Sequence, residues 1–253
     1  MTKIIRVFIL SMMLLSPGAG AYAGIEVLTE ANFSSIYMWR GIMLDGDPVA
    51  QPAVYICASS EGLGKIKAGA WFSRPLENKD ALKSAENDYI FDYTYSFKKV
   101  DLSFGHIYYD FLDALPADGA KGGFSREFYW GIAFPEALLA PSIYYYYDYG
   151  RKDDGGGEGS YLVLNLSYSK PFTLGKKKMS LEFSGRLGHN NKLYYPGKGG
   201  DAGVGAGINI PLAGSLYIKP NINYSMPWGN ISDKCNGNQK NRFYSGIYAA
   251  YTF

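Results

Sequence analysis

The chain has 253 residues, of which 47% are hydrophobic, 16% aromatic and only 19% charged, with 31 glycines among them. After the N-terminal segment no run of about eighteen apolar residues occurs, which excludes a helical membrane protein. Without Lys3 and Arg6 the chain carries 23 basic and 23 acidic residues, a balance that argues against a nucleic-acid partner.

Residues 1–23 read as a secretory signal peptide. Lys3 and Arg6 supply the positive start, Val7 to Leu15 the short apolar core, and Ala21-Tyr22-Ala23 an A-x-A cleavage site. The mature chain is then expected to span 24–253 as a single domain. About twelve strand-like segments follow, at roughly 25–39, 48–58, 65–74, 86–98, 100–111, 124–134, 139–149, 159–170, 178–189, 201–211, 215–226 and 242–253. Alternation is clean in several. Tyr89, Phe91, Tyr93, Tyr95 and Phe97 share one face of the fourth, with Asp92, Thr94 and Ser96 opposite. In the ninth, Met179, Leu181, Phe183 and Leu187 oppose Ser180, Glu182, Ser184 and Arg186.

Long polar or glycine-rich connections alternate with short ones through the whole chain. The long ones are 40–47, 75–85, 112–123, 150–158, 190–200 and 227–241. Outer-membrane barrels are built in this way, with long extracellular loops and short periplasmic turns. The last segment alternates to its end, with Phe253, Tyr251, Ala249 and Ile247 on one face. A barrel needs such a strand, because its last strand pairs with its first and leaves no open edge. The expected fold is therefore all-β: a single transmembrane up-and-down antiparallel barrel of twelve strands, with ten or fourteen as alternatives.

Tyr37-Met38-Trp39-Arg40-Gly41, followed by Asp45-Gly46-Asp47-Pro48 and Gln51, resembles the start of the TorF family of porins. The likeness continues through Gly64–Trp71, Asp101–Tyr109 and Arg126-Glu127-Phe128-Tyr129. Trp39, where Phe is commoner, and the Tyr144–Tyr147 run depart from the pattern. The resemblance implies an outer-membrane barrel that acts as a channel. A C-terminal Phe253 with Tyr251 two residues before it also resembles the signal read by the barrel-assembly machinery.

With the apolar face outward, the pore-lining candidates are Glu30, Asp92, Glu127, Glu182, Arg186 and Lys219, with Arg40 near a rim. A charge facing lipid at mid-depth costs about 2–4 kcal/mol, so inward placement is forced. Two readings stand: a polar lumen whose charges set a field across a constriction, or a filled interior where they pair. Arg40 is expected to pair with Asp45 or Asp47, and Gly41 to release strand one from the membrane. Tyr37, Trp39, Trp71, Tyr129 and Tyr149 are expected in an interfacial belt. Tyr144 and Tyr146 face inward if Ile143, Tyr145 and Tyr147 face out. Loops 112–123 and 227–241 are long enough to narrow the pore.

No H-E-x-x-H or G-x-S-x-G occurs, and Cys57 and Cys235 follow no metal spacing. The expectation is a porin-like channel for small hydrophilic solutes, not an enzyme, without cofactor or metal. It should sit in the outer membrane against lipid and lipopolysaccharide. The alternatives are a closed barrel that binds through its outer loops and, from a third class, a lipid-modifying enzyme built on His106.

Overall fold

Period-two alternation leaves each segment with one apolar and one polar face, and only a closed sheet can present all the apolar faces to one solvent. The computed structural model describes residues 24–77, 85–112, 123–232, 237 and 239–253. The expected signal peptide lies outside the described residues, as do Cys235 and most of the loop expected at 112–123.

The strands in chain order are β1 (Gly24–Ser34), β2 (Tyr37–Trp39), β3 (Ile42–Asp45), β4 (Val49–Ser60), β5 (Gly64–Pro75), β6 (Glu86–Phe97) and β7 (Val100–Phe111). They continue as β8 (Gly123–Ala133), β9 (Ser142–Asp148), β10 (Gly159–Leu174), β11 (Lys177–Asn191), β12 (Lys198–Ala213), β13 (Leu216–Gly229) and β14 (Arg242–Thr252). Twelve of them close into an antiparallel barrel in which each pairs with its sequence neighbour, while β2 and β3 form a separate hairpin. The barrel closes between β1 and β14, with Glu30 opposite Ala250 and Ser34 opposite Gly246. The Phe253 amide extends that seam by donating to the Val27 carbonyl at 3.0 Å.

Apolar side chains cover the outside. Phe33, Ile56, Tyr89, Phe104, Leu187 and Ile222 are among the large hydrophobics left exposed. A water-soluble monomer seldom exposes such a continuous patch, whereas hydrocarbon solvates it. The outward rings of Tyr251 and Phe253 meet edge to face at the short-turn end, 4.5 Å between centroids.

The longer connections and the hairpin gather at one end, and the short turns with Gly24 and Phe253 at the other. By the rule for such barrels the first end is extracellular. Two expectations need correction here. The first strand does not run to Trp39; it ends at Ser34, and 37–45 folds back into the barrel. The connection expected at 171–177 shrinks to 175–176, because β10 and β11 pair as far as Leu174 and Lys177.

Candidate functional site

The β2–β3 hairpin fills the outer half of the lumen. Its apolar side chains Tyr37, Ile42 and Leu44 pack with Val49 and with Ile231 of the last outer loop. A second cluster joins Tyr161 and Val163 of β10 to Leu193, against Trp39, Tyr144, Tyr146 and Tyr194. Leu193 and Ile231 are both 0% exposed, so outer loops close over the hairpin like the lid of a small domain. Polar bonds join the same loops. The Asn230 amide donates to Asn190 Oδ1 at 3.2 Å and to the Tyr195 carbonyl at 3.0 Å. The Met43 N–H donates to Gln239 Oε1 at 3.0 Å.

Arg40 stands at the hairpin turn. Its two terminal nitrogens donate to the two Glu127 oxygens at 2.7 and 2.8 Å, the planar bidentate geometry that favours arginine over lysine. The guanidinium lies over the rings of Tyr146, Trp39 and Tyr161, at 4.1, 4.4 and 4.9 Å from their centroids. The Tyr109 hydroxyl also donates to Glu127, at 3.0 Å. Such a carboxylate tolerates complete burial only because donors meet both oxygens. Gly41 makes the turn possible. Its φ is +77°, and a Cβ there would lie 2.5 Å from Asp201 Cβ. Asp201 in turn accepts from Arg186 Nε and from the Tyr161 hydroxyl, each at 2.6 Å. At the hairpin's other edge the Tyr37 hydroxyl donates to Glu86 at 3.0 Å.

Below the hairpin the lumen opens. A cavity of about 480 Å³ lies beneath Arg40, and a second of about 660 Å³ occupies the inner half. Both are lined by Gln51 and Trp71, so they adjoin. In the inner one Lys219 Nζ pairs with Glu182 Oε2 at 3.0 Å, near Glu30, Asn32 and Asn223.

The lumen thus brings the predicted residues to three levels. Arg40 and Glu127 meet under the hairpin, and Arg186 adjoins them through Asp201 and Tyr161. Glu30, Glu182 and Lys219 line the inner cavity. Asp92 accepts from the Tyr129 and Thr94 hydroxyls. Tyr251 and Phe253 remain on the outer surface of the barrel.

Several placements differ from expectation. Arg40 is not at a rim beside Asp45 or Asp47; it is a buried partner of Glu127, because its strand turns inward. Tyr37 and Trp39 belong to the hairpin core and not to an interfacial belt. Trp71 faces the lumen opposite Ala53 and Asp88, and Tyr129 faces it toward Asp92. Tyr149 is the member of that set found outside, stacked on Phe128 at 5.2 Å. His106 also points outward, 2.8 Å from the Tyr149 hydroxyl. Tyr144 and Tyr146 do face inward, as Ile143, Tyr145 and Tyr147 are exposed outside. The hairpin fills the outer lumen, and Ile231 and Gln239 of the loop 227–241 fold onto it; residues 233–236 and 238 of that loop lie outside the described residues.

Sequence reasoning missed Asp201, Tyr109, Tyr161, Leu193 and Ile231. One signal was present. Ile42 and Leu44 alternate inside a segment assigned to a polar loop, as a strand does.

No protein-family model matches the chain, and no curated protein does. The TorF resemblance therefore stands on its motifs alone. Solved structures do match. An outer-membrane channel from Pseudomonas putida F1 is similar at 9% identity, with a TM-score of 0.51, over 94% of this chain and 100% of its own. The translocator domain of the autotransporter NalP from Neisseria meningitidis aligns at 14% identity and a TM-score of 0.46, over 100% and 95%. An anion-selective porin from Comamonas acidovorans aligns at 9% and 0.40, over 91% and 99%. The fold is that of an outer-membrane β-barrel.

Proposed function

We propose that the protein is a porin-like channel that lets small hydrophilic solutes diffuse across the outer membrane. The observation that carries this reading is the pair of adjoining lumen cavities, walled by amides, hydroxyls and charged groups. Side chains just fill the interior of a barrel of about eight strands, whereas these twelve leave free volume. Here the inner cavity takes up part of the periplasmic half of the lumen, and the hairpin fills the outer half. The reading keeps the TorF-type porin as its frame. Tyr251 and Phe253 act in assembly and not in transport. No catalytic step belongs to it; the hydroxyl that His106 meets is that of Tyr149 and not of a serine.

A second reading is favoured by one feature. Leu193 and Ile231 are fully buried above the hairpin, which suits a closed barrel that binds through its outer face. Planar-bilayer recording separates the two. Stepwise, salt-dependent current from the purified barrel supports the channel. A silent barrel that shows the migration of a folded one on unheated gels overturns it.

A further inference from the structure

The inner cavity is walled largely by groups that carry no charge but both give and accept hydrogen bonds. Asn32 Nδ2 donates to Gln51 Oε1 at 2.9 Å, and Asn223 Nδ2 donates to Asn221 Oδ1 at 2.8 Å. Ser167, Ser169 and Ser184 add hydroxyls to the wall. Its ions largely neutralise one another. Lys219 is held by Glu182, whose other oxygen accepts from Asn209 at 3.4 Å. Two rings, Trp71 and Tyr248, give the wall flat apolar faces, and Tyr217 lies against Tyr248 at 5.9 Å.

Gln51 stands at the junction of the two cavities. It is 7% exposed, and its Nε2 has no hydrogen-bond partner among the described residues. A buried donor left in that state costs about 1–3 kcal/mol. Gln51 lines both cavities, so a rotation of its enclosed amide brings this donor to an acceptor oxygen of a solute at the junction.

We propose that this cavity is a binding site for neutral saccharides, which names the solute class of the channel reading on which it rests. An amide offers a donor and an acceptor side by side, and a sugar hydroxyl is both. The C–H face of a pyranose ring is apolar and lies against Trp71 or Tyr248, as flat solutes do in pockets that mix rings with a few polar groups. A cavity of about 660 Å³ falls within the usual range of small-molecule sites, roughly 300–1,000 Å³. A free anion would meet Glu30 and Glu182 across the cavity. A free cation would find Glu182 already paired with Lys219 and Glu30 hydrogen-bonded by the Tyr248 hydroxyl.

Calorimetric titration of the full-length barrel, folded in detergent, tests the assignment. Glucose, maltose and sucrose are the neutral solutes, and gluconate and choline the charged ones. The expected result is saturable binding of at least one neutral saccharide, weakened about three- to ten-fold by Gln51→Ala or Asn223→Ala. If one variant fails to fold, the other decides. The assignment is overturned if no saccharide saturates the folded barrel. It is equally overturned if gluconate or choline binds more tightly than every saccharide, or if the folded variants bind like the parent. Sugar binding by a barrel that is silent in bilayers overturns the channel and leaves the site. Current without sugar binding does the reverse.

Discussion

Replacing Arg40 by alanine should undock the hairpin and widen the pore without dissolving the barrel. The Arg40 side chain is 10% exposed and that of Glu127 is 0%, so the pair sits out of water. Removing one partner of such a buried pair costs about 3–5 kcal/mol, mostly because the other charge is left stranded. The ring faces of Trp39, Tyr146 and Tyr161 lose their cation as well. Moving a two-state equilibrium from about 1:99 to 99:1 takes about 5.5 kcal/mol, so the loss is enough to turn a rare undocked hairpin into a common one. The barrel strands do not depend on this pair, because each is hydrogen-bonded to two neighbours. Single-channel recording should then show a larger mean conductance, or added openings, in Arg40→Ala. The double variant Arg40→Ala with Glu127→Ala should fold better than Arg40→Ala alone, since no stranded carboxylate remains. A folded Arg40→Ala barrel whose conductance and open-state noise match those of the parent would refute the idea that this pair holds the hairpin.

Other outcomes follow from the same geometry. Lys219→Glu puts three carboxylates, Glu30, Glu182 and the new one, around the inner cavity and should shift the reversal potential toward cation preference. An unchanged reversal potential in a salt gradient would reject Lys219 as pore-lining. Deleting Phe253 removes the last outward ring and the amide bonded to Val27, so less barrel should insert; the conductance of each surviving channel, read in the same bilayer, should stay the same. Val54→Lys places a cation on the lipid face near the middle of β4 and should destabilise the barrel by about 2–4 kcal/mol in urea titrations in liposomes. A cost near zero would mean that Val54 does not face hydrocarbon.

The barrel itself was legible in the chain because its determinants are local. A strand's two faces are set by alternation, and a solvent of hydrocarbon demands closure. Twelve alternating segments with long and short connections leave little choice of topology. Inward placement of Glu30, Glu182, Arg186 and Lys219 follows from the same period, since one slip would send them into lipid. The hairpin was not legible. Trp39, Arg40 and Gly41 read as a strand leaving the membrane, and their local sequence suits that role as well as a turn inside the lumen. What decides between them is distant in the chain. Glu127 lies 87 residues after Arg40 and meets it only once the sheet has closed.

The same holds for Leu193, which precedes Tyr194 and Tyr195 in its loop, and for Ile231, flanked by Asn230 and Ser232 in another, until folding stacks both over the hairpin. From the sequence alone came the class of fold, its topology and the sign of each face. The tertiary structure decided which loop enters the lumen, which charges pair and where the remaining space lies. Backbone alternation is a nearest-neighbour property, whereas lumen packing depends on side chains that twelve strands bring together from the whole chain.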